Sequence, residues 1–206
     1  LMSRGLLHAE PGPEKFYFAA IADTHIIDSF YKGPEGSPED TETIFKTEER
    51  LKSVRDAFAK LQPRFEQVFI AGDFFHNYPS TDIDFYFQNR TRIDNAKALI
   101  DSFPMPVHPG FGNHDYSVPK VSRETSHELF RRKLGVKPYY SVEHKGWKFV
   151  HLNNFLGATW TPGDAAYDKS TGSFGEEQLN WFEGELSQHK PTFVFLHYPL
   201  LIVDGH

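Results

Sequence analysis

Short apolar runs alternate along this chain with segments whose apolar residues recur at helical spacing, and that alternation restricts the fold more than any other property. Lys15 to Ala22 (KFYFAAIA), Gln67 to Ala71 (QVFIA), Val107 to Phe111 and Thr192 to Leu196 (TFVFL) read as buried strands. Tyr139 to Val142 and Trp147 to Asn153 read as two more, joined by a hairpin turn at His144-Lys145-Gly146. Leu51, Val54, Phe58 and Leu61 mark one face of a helix over Thr43 to Gln62. Ile83 to Phe103, Arg123 to Leu134 and Glu176 to Gln188 are the other helical segments, the last with Leu179, Phe182 and Leu186 on one face. Strands that alternate with helices in this way predict a single α/β layered domain, with helices covering sheet faces.

Four of the strands end in polar clusters. Asp23-Thr24-His25 follows the first, and Gly72-Asp73-Phe74-Phe75-His76 follows QVFIA. Gly112-Asn113-His114-Asp115 follows the strand near Val107, and His197-Tyr198-Pro199 follows TFVFL. One such cluster would be ordinary turn chemistry. Four of them, at the strand ends where open α/β sheets bind ligands, predict a ring of donor groups along one edge. Imidazole and carboxylate are ligands for Zn, Fe and Mn, and the neutral Asn carbonyl can join them without adding charge. A carboxylate has two oxygens, so one Asp can bridge two ions, and two ions roughly 3.5–4 Å apart can clamp a phosphoryl group and activate water.

The series D-x-H, G-D-x-x-H, G-N-H-D and a strand ending in His resembles the calcineurin-like metallophosphoesterases, over about Phe16 to Pro199. The resemblance implies a four-layer α-β-β-α sandwich of two mixed sheets flanked by helices. It implies two divalent or trivalent metal ions (Mn, Fe or Zn) and hydrolysis of a phosphoester by a metal-bound hydroxide. Carried over residue by residue, it places Asp23 and His25 on one metal, Asp73 between the two, and Asn113 and His197 on the other. His114 would serve the leaving group, Asp115 would orient His114 by accepting a hydrogen bond, and His76 would lie near the substrate phosphate. The family closes its site with a G-H-x-H loop well after the histidine strand. Here Gly205-His206 spells only its beginning, so the expectation is a C-terminally incomplete metallophosphoesterase domain over 15–206.

The composition narrows the function. The chain has 206 residues with 16% aromatics, too many for a disordered segment. It has no cysteine, which excludes thiolate metal sites and cysteine nucleophiles. The net charge of −6 argues against nucleic acid as a partner, and no apolar run is long enough to span a membrane. Residues 1–14 read as a leader or tag remnant, and Leu1 to Ala9 fits the tail of an export signal, which inclines localisation toward export or the periplasm. A small phosphodiester or phosphomonoester is the expected substrate. A DNA nuclease of the double-strand-break repair type and a non-catalytic scaffold of the same fold are the alternatives. The loops Asp28–Glu42, Tyr78–Ile83 and Ala158–Ser173 should surround the metals, with Lys32, Arg90, Arg92, Lys120 and Arg123 within reach of a substrate, and Trp160, on one of these loops, reads with Trp147 and Trp181 as a packing residue.

Overall fold

The structure, a computed structural model, describes residues 14–33 and 42–200. The leader segment and Gly205-His206 therefore fall outside the described residues, apart from Glu14. Strands β1 (Phe18–Ile21), β2 (Gln67–Ile70) and β3 (Val107–Pro109) pair side by side in a parallel sheet. Strands β4 (Tyr140–His144), β5 (Trp147–His151) and β6 (Thr192–Phe195) form a second sheet, antiparallel between β4 and β5 and parallel between β5 and β6. Among the described residues, the mixed character expected of both sheets belongs to the second alone.

The period of β2 decides how the layers stack. Val68 and Ile70 pack into a core with Leu51 of helix α1 (Thr47–Phe58) and with Ile93, Ala96, Leu99 and Ile100 of a helix over Arg92–Asp101. Phe69 points the other way, its ring stacked 4.6 Å from both Phe149 and Phe195 of the second sheet. Alternate residues of one buried strand thus serve a helix layer and a sheet layer. A further helix, Glu176–Leu186, flanks the second sheet, where the buried Lys148 ammonium meets Glu185 at 2.6 Å. The molecule is two sheets flanked by helices.

Local chemistry sets several boundaries away from the sequence expectation. Helix α1 stops at Phe58, and Leu61 lies beyond it, 43% exposed, because Pro63 disfavours helical backbone at Gln62. The predicted helix over Ile83 to Phe103 is two helices, α2 (Phe85–Gln88) and α3 (Arg92–Asp101). Thr91 takes extended backbone and forms a capping box with Asp94, so α3 has its own start. Helix α4 (Arg123–Leu129) begins at Ser122, whose hydroxyl accepts from Thr125 N, and runs on through a wider π turn over Phe130–Leu134. The hairpin turn needs only Lys145 and Gly146, both at positive φ, and His144 pairs with Trp147 as the last residue of β4. The last helix is α5 (Glu176–Leu186). Strand β6, expected to be buried, has Phe193 and Val194 more than a third exposed, since among the described residues it pairs only with β5.

Candidate metal centre

The parallel pairing of β1 and β2 continues past the ends of both strands. Asp23 N donates to Gly72 O at 3.1 Å, His25 N to Asp73 O at 2.9 Å and Ile26 N to Phe74 O at 3.2 Å. Asp23 (φ 56°), His25 (φ 42°) and Asp73 (φ 51°) all hold left-handed backbone, which is uncommon outside glycine and clusters where a site over-determines it. The loop after β3 closes against the same place. A Cβ on Gly72 would stand 2.7 Å from Phe111 O, and one on Gly112 would overlap Asp73 N and Oδ1. Only hydrogen at these two positions lets the loops after β2 and β3 touch.

This crowding aims the Asp73 carboxylate. Its Oδ1 accepts from His114 N at 2.8 Å, while Oδ2 lies 3.4 Å from both His25 Nε2 and His197 Nε2. Asp23 Oδ1 is 3.8 Å from His25 Nε2, and Asn113 Oδ1 is 3.0 Å from His197 Nε2. Asp23, His25, Asp73, Asn113 and His197 thus converge, with the Asp73 carboxylate buried and the Asp23 carboxylate open to solvent.

The donor set calls for positive charge. His197 Nδ1 lies 3.0 Å from Ala71 O, which can only accept, so Nδ1 carries a hydrogen. A neutral ring then turns its bare Nε2 toward two more acceptors, Asn113 Oδ1 and Asp73 Oδ2. A cation between them, proton or metal ion, removes the conflict. The titration directions agree. Burial works against a charge on His197, yet the Asp73 carboxylate and the Ala71 carbonyl raise its pKa overall. Burial likewise opposes the Asp73 charge, but His197 holds that pKa down. Burial above all, with help from His114 and His197, lowers the His25 pKa against the opposing pull of Asp73 and Asp23. A buried carboxylate flanked by two imidazole rings suits a divalent ion. Ligand atoms of Asp23, His25 and Asp73 lie within 4.8 Å of one another, as do those of His25, His76 and His114.

His76 and His114 form one wall of the site. Their rings stack with centroids 4.6 Å apart, and His76 Nδ1 is 3.0 Å from His25 Nδ1. Tyr31 meets His76 edge-on at 5.2 Å.

Two expectations are corrected. Asp115 does not face the His114 ring. Its fully buried carboxylate accepts from Phe74 N, Phe75 N and Gly112 N at 2.8 to 3.1 Å and so ties the β2 and β3 loops together. Burial and the Asp73 charge push its pKa up to about 8 against those three bonds. Arg92 and Arg123 are not available to a substrate. Arg92 is buried on Asp28, with its other nitrogen on His76 O and Asn77 O, and Arg123 donates to Leu156 O, Trp160 O and Thr161 Oγ1. Trp160 is a core residue, 1% exposed, with its ring on Phe155 and its Nε1 donating to Thr171 O.

Sequence reasoning missed Asn77. Its Oδ1 lies 2.9 Å from His114 Nδ1, and its own φ is 57°. The available signal was an Asn directly after the G-D-x-x-H run, since Asn tolerates left-handed backbone better than most residues.

The sequence profile of the calcineurin-like phosphoesterase family matches residues 16–205. Among curated protein sequences, none matches the chain. Among solved structures, the chain is similar to a dimetal phosphatase from Danio rerio, with 18% identity, a TM-score of 0.56, and coverage of 90% of this chain and 70% of that one. At that identity the likeness bears on the fold.

Proposed function

The chain belongs to the calcineurin-like phosphoesterase family, and on that premise we propose that it hydrolyses a small phosphodiester or phosphomonoester at a two-metal site. The observation that carries the reading is the Asp73 carboxylate, equidistant at 3.4 Å from His25 Nε2 and His197 Nε2. Asp23 and His25 would hold one ion, Asn113 and His197 the other, and Asp73 would serve both. Bound there, the ions supply Lewis acidity toward the phosphoryl oxygens and lower the pKa of the attacking water. His114, half-buried beside this set, holds the proton that the leaving oxygen takes. His76, stacked on His114, lines the same wall and contacts the phosphate.

The test is Asp73→Asn. The carboxylate is nearly inaccessible and is asked to serve both ions, so its loss should lower metal content below two equivalents. Hydrolysis of bis(p-nitrophenyl) phosphate should fall at least about 100-fold. A variant as fast as wild type overturns the reading, and a wild-type protein that takes up no Mn, Fe or Zn on supplementation supports a scaffold. The G-D-F-F-H run, which sets His76 against His114, favours a DNA-end nuclease as the second reading. Cutting of DNA ends without activity on small esters would replace the first reading with it.

A further inference from the structure

We propose that Asn77 is a positioning residue that fixes the tautomer and ring orientation of His114, a role that rests on the phosphoesterase reading for its catalytic consequence. Asn77 meets His114 at two points. Its backbone N donates to His114 O at 3.1 Å, and its side-chain Oδ1 lies 2.9 Å from His114 Nδ1. An amide oxygen only accepts, so Nδ1 keeps its hydrogen, and Nε2 becomes the atom at which a proton is held or given up.

The geometry is braced from behind. Asn77 holds left-handed backbone, φ 57°, and Arg92 donates to the carbonyls of both His76 and Asn77. Arg92 is held in turn by Asp28, with Nε and Nη2 at 3.0 and 2.9 Å, and both side chains of this pair are at most 3% exposed. A desolvated, bidentate ion pair is a rigid anchor, because breaking it would strand a buried charge. The His114 ring is also stacked on His76, so rotation about its side chain is restricted on two sides. Asp28, Arg92 and His114 lie in different segments of the sequence from His76-Asn77, and the fold assembles them around one imidazole.

Two variants separate side chain from backbone. Asn77→Gly keeps the left-handed conformation and removes the amide, while Asn77→Asp keeps an acceptor. In the metal-free protein, at a pH where the ring is neutral, long-range ¹H–¹⁵N spectra should show His114 as the Nδ1–H tautomer in wild type and Asn77→Asp. In Asn77→Gly they should show a mixture. In the metal-loaded enzyme, Asn77→Gly should lower kcat about 10- to 100-fold with KM within about twofold, more for esters with poor leaving groups. In a His114→Ala background the same change should cost less than about twofold. An unchanged tautomer in Asn77→Gly overturns the proposal, and so does an equal loss of activity in both backgrounds. If no ester is hydrolysed by wild type, the phosphoesterase reading fails, and the tautomer measurement still decides the Asn77–His114 contact.

Discussion

Asp115 shows how a residue of the right type beside the right neighbour can do a different job from the one its position suggests. Next to His114 in sequence, it reads as that ring's partner. In space its two oxygens are consumed by three backbone N–H groups from the loops that carry Asp73 and Asn113. The contact that orients His114 comes from Asn77 instead. Removing the Asp115 carboxylate would leave three donors without partners in a place water does not reach. Asp115→Ala should therefore lower the unfolding free energy of the metal-free protein by roughly 3 kcal/mol or more in urea titration. Asp115→Asn, which retains one acceptor oxygen, should fall between the two. A loss under about 1 kcal/mol in the alanine variant would show that the loops do not depend on these bonds.

Helix and turn boundaries follow backbone conformation more closely than hydrophobic pattern. Gly135 ends the α4 segment with φ 72°, its N–H bonded to Arg131 O at 3.1 Å and Val136 N to Phe130 O at 3.3 Å. Gly184 lies inside α5 in ordinary helical backbone. A Cβ at either position meets nothing within 4 Å, so packing cannot distinguish them. Backbone conformation alone predicts opposite signs. Gly135→Ala should destabilise by about 1 kcal/mol, and Gly184→Ala should stabilise by up to about 1 kcal/mol, both read from urea midpoints. The same logic explains the break between α2 and α3. The apolar pattern from Ile83 to Phe103 is interrupted by the polar run Gln88 to Arg92, and there Thr91 and Asp94 cap a new helix.

On the scale of the whole molecule, burial of histidine makes stability depend on pH. The rings of His108 and His151 lie between the sheets, and burial lowers their pKa to about 4 and about 3. His127, bonded to Tyr116 Oη at 2.8 Å, is lowered to about 4 by burial and by Arg123. Between pH 6.5 and 4 the unfolded chain binds more protons at these rings than the native one. Their contribution is therefore intact above pH 6.5 and lost as pH falls toward 4. Asp115 acts in the opposite sense, since its native pKa of about 8 lies above the unfolded value. A single-ring variant isolates the effect. His127→Gln should reduce the difference in unfolding free energy between pH 7 and pH 5 by at most about 2 kcal/mol relative to wild type, and an unchanged difference would refute it.

Among the described residues no helix is long and apolar enough to cross a membrane, and the two sheets meet through stacked Phe69, Phe149 and Phe195. What the sequence determined by itself is what repeats locally: the alternation of strands and helices, and the polar clusters at four strand ends. Those signals are written within a few residues of one another. Tertiary structure alone decided that Asp73 Oδ2 faces two histidines at once, that Asp115 holds loops and not a ring, and that Arg92 braces Asn77 rather than meeting a substrate. Each of these depends on groups 15 or more residues apart, whose distance is set by how parallel strands pair and how far a glycine lets two loops approach.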